Sequence, residues 1–144
     1  METVVTSVKQ LDAPAERVWV YLVDPDHAGA LQPGVEVLRT YGTDGTVGSG
    51  YEVSARQGPV RLRVEVQVAQ ARLHEEIVVL HKAAGRVVAT GHYLLSAGAS
   101  GGTRLTVRTS TTGLLARLTR KASQKQQDRW LDRLADLVDR TGDQ

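Results

Sequence analysis

The sequence predicts an α+β domain in which a six- to seven-stranded curved antiparallel sheet wraps around a long C-terminal helix, with two short helices after the first strand. Three observations predict it. Apolar residues alternate from Thr3 to Leu11 and again, in segments, from Val35 to Thr112. After Gly113 the period becomes that of a helix. The turns between the alternating segments are short, which suits a meander and leaves no room for crossover helices. With 144 residues and neither repeat nor linker, residues 1–144 read as a single domain.

The first strand runs from Thr3 to Leu11, with Val4, Thr6 and Val8 alternating. Asp12-Ala13-Pro14-Ala15-Glu16 then opens a helix: Asp12 or Ala13 stands at the cap, Pro14 suits the first turn, and Glu16 favours the positive helix end. Val18, Trp19 and Leu22 form its apolar face, and Pro25 stops it. A second helical turn is expected between His27 and Gln32, before Pro33-Gly34. Val35 to Tyr41 and Tyr51 to Arg56 are strands about the turn Gly42-Thr43-Asp44-Gly45. Val60, Leu62, Val64, Val66 and Val68 alternate with Arg61, Arg63, Glu65 and Gln67, the clearest half-buried strand. Glu75–Lys82 and Arg86–Ser96 form a hairpin about Ala83-Ala84-Gly85. Leu105, Val107 and Thr109 carry the last strand. The final helix has a stripe of Leu115, Leu118, Ala122, Trp130, Leu134, Leu137 and Val138, and is the one segment long enough to cover the sheet.

Composition excludes several function classes. Without cysteine there is no disulfide, thiolate metal site or cysteine nucleophile. The start has neither a basic region nor an apolar one, no run approaches membrane-span length, and a cytoplasmic location is expected. A net charge of +2, with no aromatic platform among the basic residues, does not point to nucleic acid. His74-Glu75-Glu76 lacks the second histidine of a zinc helix, and Gly45, Gly48 and Gly50 have the wrong order for a dinucleotide loop, so neither metal nor cofactor is expected.

Four phrases resemble one superfamily. Leu11-Asp12-Ala13-Pro14-Ala15-Glu16-Arg17-Val18-Trp19 is similar to its "ApxexVW" opening, and Asp24-Pro25 with Leu31-Gln32-Pro33-Gly34-Val35 to its "DP…lPGV" segment. Gly48-Ser49-Gly50-Tyr51 matches its "vGxxy" strand, and Gly101-Gly102-Thr103-Arg104-Leu105-Thr106-Val107 its "gGTrltv" strand. In this order they make the chain resemble the START-like (SRPBCC, helix-grip) superfamily of polyketide cyclases/dehydrases and plant pollen-allergen proteins. The "PGV" and "GPVRLRV" phrases look most like the branch related to an accessory component of carbon monoxide dehydrogenase. The resemblance implies the fold and a ligand cavity, but not an activity.

In such a fold the sheet and helix splay apart at the middle, where small or polar residues of the helix leave a gap. Trp19, Tyr51, Val53, Leu62, Val64, Leu80, Tyr93, Leu95, Val107, Ala122 and Gln126 are the expected cavity residues. The hydroxyls of Tyr51 and Tyr93 suit a ligand oxygen. Counting the hairpin about Ala84 pairs residue 81 with 88, putting His81 and His92 on the face away from Tyr93. No catalytic residue follows. Arg117, Lys121, Lys125, Arg129 and Arg133 form a cationic ridge suited to solvent, a homodimer contact, an acidic partner, an anionic lipid surface or a ligand carboxylate. Three functions compete: a binder of a hydrophobic small molecule such as a lipid, polyketide or other secondary metabolite; a cyclase or dehydratase using the same cavity; and an accessory or maturation protein, as the carbon monoxide dehydrogenase resemblance implies.

Overall fold

The computed structural model of the chain describes residues 2–27, 31, 34–57, 59–112 and 120–141, without the side chains of 57, 140 and 141. Its elements follow in the order β1 (Glu2–Leu11), α1 (Ala15–Val23), a 3-10 turn (Pro25–His27), β2 (Val35–Tyr41), β3 (Gly50–Gln57), β4 (Val60–Arg72), β5 (Glu76–Ala83), β6 (Arg86–Ala97), β7 (Thr103–Thr112) and α2 (Arg120–Thr141). Seven strands make one antiparallel sheet in the order β1-β7-β6-β5-β4-β3-β2. Each strand therefore pairs with its sequence neighbour, except that β1 closes against β7. The expected second turn at 27–32, together with Leu115, Arg117 and Leu118, lies largely outside the described residues.

Three bulges bend the ribbon. Leu38, Ala69 and Val88 each lack a partner across their ladders, and an extra residue increases local twist and curvature. The third bulge corrects the expected register. Ala84 and Gly85, at φ 52° and 77°, make a tight two-residue turn that pairs Ala83 with Arg86 and Lys82 with Val87. Val88 is then the extra residue, so His81 pairs with Ala89 and Val78 with His92. A slip of one exchanges the two faces of a strand. His81 consequently shares the inner face with Tyr93, while Leu80 and His92 share the outer one.

α2 runs alongside β1 and is held in two ways. Its C-terminal half is apolar: Leu131, Leu134, Ala135 and Val138 are buried in one cluster with Leu11, Val18, Trp19, Ile77, Leu95 and Leu105. Its N-terminal half is polar and clasps the edge of the sheet. The Gln127 amide donates to Ser7 Oγ (3.0 Å), Val107 O (3.2 Å) and Val5 O (3.3 Å), while the Thr109 hydroxyl donates to Gln127 Oε1 at 2.6 Å. Ser7 in turn donates to Asp128 Oδ1 at 2.6 Å. Further along, Lys9 Nζ meets Asp132 at 2.9 Å. Asp139 accepts the backbone N–H groups of Asp12 and Ala13 at 3.2 Å each. The residue before the helix is Pro14 and not the expected Asp12 or Ala13; it has no side-chain acceptor, and its carbonyl accepts the N–H groups of Arg17 and Val18.

The phase of α2 also departs from the expected stripe. Leu131 is 2 % exposed and centres the buried face, whereas Ala122 is exposed. The two are nine residues apart, about two and a half turns, and so lie on opposite sides of the helix. Because Leu134 is fully buried, Leu134→Ala is expected to lower the unfolding free energy by about 2–5 kcal/mol in urea titration. A loss below about 1 kcal/mol would mean that the helix does not seat through this residue.

Candidate ligand cavity

Where α2 turns from apolar to polar, it stops filling the concave side of the sheet. A cavity of about 430 Å³ remains. Its sheet wall consists of alternate residues of successive strands: Tyr51 and Val53 on β3, Leu62, Val64 and Val66 on β4, Val79 and His81 on β5, Ala89 and Tyr93 on β6, and Val107 on β7. Ser123, Gln126, Gln127 and Trp130 of α2 face them, and the end of α1 with the 3-10 turn, from Tyr21 to Pro25, closes one end.

Of the expected residues, Tyr51, Val53, Leu62, Val64, Tyr93, Val107 and Gln126 line this space, and four do not. Leu80 faces outward because of the Val88 bulge. Ala122 sits on the far side of α2, which puts Ser123 and Gln126 at the cavity instead. Trp19 is 5 % exposed, inside the core, with its ring edge-on to His74 at 6.0 Å between centroids. Leu95 is likewise a core residue, paired with Leu105. Conversely, sequence reasoning missed His81, Ser123, Gln127 and Trp130. The bulge hid the first, and the helix phase hid Ser123. Gln127 is polar where the stripe pattern favours apolar residues.

Three polar groups stand out in the apolar wall. Tyr51 OH, Tyr93 OH and the His81 imidazole line the cavity and form no hydrogen bond with another of the described residues. Burial raises the Tyr51 phenol to about 12. Burial, then the nearby Tyr51, raise Tyr93 as well. Burial lowers His81 below the ordinary histidine value. All three are therefore uncharged at neutral pH: two hydroxyl donors and an imidazole with one donor and one acceptor nitrogen. The missing side chain of Gly91 brings two of them together. A Cβ on Gly91 would lie 3.1 Å from Tyr93 Cε2 and 3.4 Å from His81 Nε2. Trp130 supports the Tyr93 ring from α2, at 5.8 Å between centroids. His92 lies outside this group, with Nε2 2.8 Å from Glu76 Oε1 on the outer face.

Among the described residues the lining contains no lysine or arginine, and its carboxylates, Asp24 and Asp44, lie at the α1 end. Among the described residues no three His, Asp or Glu side chains converge as a metal ion would need, and no helix is long and apolar enough to cross a membrane. On the helix ridge, Lys121, Lys125 and Arg129 are exposed, Arg117 is outside the described residues, and Arg133 donates to Leu31 O at 3.2 Å.

Residues 2–139 match the family model described as polyketide cyclase / dehydrase and lipid transport. The chain belongs to this family. The match does not single out the branch related to carbon monoxide dehydrogenase. No curated protein matches the chain significantly. Among solved structures, protein MLL2253 from Mesorhizobium loti aligns with TM-score 0.76 and 17 % identity, over 96 % of this chain and 98 % of its own. The Aha1 dimer from Colwellia psychrerythraea aligns with TM-score 0.71 and 13 % identity, over 95 % and 96 % of the two chains. DynU16, from the dynemicin biosynthetic locus, aligns with TM-score 0.69 and 18 % identity, over 94 % of this chain but 46 % of its own. At such identities the likeness shows the helix-grip fold of the polyketide cyclase/dehydrase family and no more.

The buried imidazole has a thermodynamic signature. Below the ordinary histidine value of 6.5, the unfolded chain binds a proton at residue 81 that the folded protein refuses. Stability therefore rises with pH through this region and is lost as pH falls below 6.5. His81→Gln is expected to flatten the fall in the urea midpoint between neutral pH and the onset of carboxylate titration. An unchanged slope would show that the imidazole is freely solvated.

Proposed function

We propose that this protein binds an uncharged, largely apolar small molecule (a lipid, a polyketide or another secondary metabolite) between the sheet and α2. The observation that carries the reading is the pairing of an apolar cavity of about 430 Å³ with three unpartnered neutral polar groups, Tyr51, Tyr93 and His81. The volume is that of a small-molecule site. A ligand carrying ketone or hydroxyl oxygens on an apolar body would give these groups hydrogen-bond partners, worth about 0.5–1.5 kcal/mol each. A free carboxylate would find no cation in the lining. The family description, which joins cyclase/dehydrase with lipid transport, supports the same ligand class. A filled core would favour the accessory reading, and the cavity weighs against it.

A second reading has its own support. A neutral imidazole and a tyrosine hydroxyl lining one cavity are a pair that can take a proton from a carbon next to a carbonyl while hydrogen-bonding that carbonyl oxygen. A cyclase or dehydratase would use His81 as the base and Tyr93 or Tyr51 as the donor, with no metal or nucleotide.

Native mass spectrometry of freshly purified protein is expected to show a co-purifying small molecule. Ala89→Trp, which projects an indole from the β6 wall into the space, should abolish its retention. Ala122→Trp, on the exposed side of α2, should retain it. Tyr51→Phe and Tyr93→Phe should each weaken binding about five- to tenfold, the worth of one hydrogen bond. Retention by Ala89→Trp would place the ligand elsewhere. Turnover of a bound poly-ketone that is lost in His81→Gln while binding persists would decide for the enzyme.

A further inference from the structure

The sheet delivers several segments to the same end of the molecule. β3, β5 and β7 run in one direction, so the turns after β3 and β5 and the exit from β7 emerge together, beside the start of α2. Four of the nine large hydrophobic side chains that stand exposed among the described residues lie on the two hairpins at this end: Val60 (52 %) and Leu62 (43 %) beside the β3–β4 tip, and Val87 (49 %) and Val88 (44 %) beside the β5–β6 tip. Leu62 and Val88 also line the cavity, and because both are exposed the cavity has a mouth at this end. The others, such as Val20 and Leu73, lie elsewhere on the surface.

The mouth is basic as well as apolar. Arg56, Arg61 and Arg86 flank the two hairpin tips, and Arg120, Lys121 and Lys125 crown the start of α2, all exposed. Among the described residues only Arg61 of these six has an ion pair, a loose one with Glu36 at 3.9 Å. Glu2 and Glu36 are the carboxylates nearby. At the opposite end the exposed acids Asp12, Glu16 and Asp136 collect around the start of α1 and the last turns of α2. Exposed cations thus outnumber exposed acids at the cavity opening, whereas at the opposite end the acids are mixed with the exposed Arg72 and Arg104.

We propose that this end docks on an anionic lipid bilayer. Val60, Leu62, Val87 and Val88 enter the headgroup region, and the surrounding arginines and lysines meet lipid phosphates. Apolar tips flanked by cations are the composition such an interface selects. Docking would open the cavity directly onto the phase in which an apolar ligand is soluble. The inference goes beyond ligand binding, and its test needs no ligand.

The test is co-sedimentation of the full chain with vesicles of pure phosphatidylcholine and of phosphatidylglycerol mixed in equal parts with phosphatidylcholine. Binding is expected to the mixed vesicles and to weaken as salt rises. Neutralising two cations in Arg86→Gln/Lys121→Gln should lower the partition coefficient roughly 25-fold, at about fivefold per cation. Val60→Asp and Val87→Asp should each abolish binding, whereas Leu73→Asp, at the opposite end, should leave it unchanged. All these side chains are exposed, and circular dichroism checks that each variant folds. No binding to the mixed vesicles would overturn the proposal, leaving an acidic protein as the candidate occupant. So would binding indifferent to Val87→Asp, or lost equally in Leu73→Asp.

Discussion

The seat of α2 on the sheet is the constraint from which the other features follow. One half of the helix is driven home by burial of Leu131, Leu134, Ala135 and Val138, side chains that each contribute of the order of 1–3 kcal/mol. The other half has no such driving force. It is kept against β1 and β7 by directional hydrogen bonds through Gln127, Ser7 and Thr109. Those bonds fix position without filling volume, because an amide at an edge occupies far less space than a leucine over the middle of the sheet. The result is a wedge, closed where the helix is apolar and open where it is polar.

The chemistry of the opening follows from its walls. Strand alternation supplies Val, Leu and Ala to the inner face, and such a surface desolvates any ionisable group placed in it. The same burial therefore pushes the tyrosines up and the histidine down, leaving neutral donors and acceptors at the centre. Protein interiors pair nearly all of their buried polar groups, and Gln127 and Ser7 obey that rule a few residues away. Tyr51, Tyr93 and His81 turn their polar atoms to the cavity instead, without a hydrogen bond to another described residue. A local departure from otherwise consistent packing is where function is expected.

The fold was legible in the sequence because it rests on long-range periodicity. The alternation from Val60 to Val68, the Ala84-Gly85 turn and the apolar end of α2 each have one good physical solution. The site was legible only where a residue inherits its orientation from such a pattern, as Tyr51, Val53, Leu62 and Val64 do. It failed where one residue changes the count. Val88 is a valine among valines and nothing in its identity announces a bulge, yet it exchanges Leu80 for His81 on the inner face. The helix misled for another reason. Ala122 is a weak marker of phase, and the polar side chains that hold α2 to β1 look like solvent-facing residues until their partners are known.

The division of labour along α2 has a consequence for how such a protein can change over generations. The side chains that confer folding stability are concentrated at one end of the wedge, whereas those that shape the void, such as Val64, Ala89 and Ser123, meet no large side chain across it. Their size can drift with little thermodynamic penalty. The cavity wall is therefore free to vary while the scaffold persists, and that scaffold is shared by neighbours at 11–18 % identity.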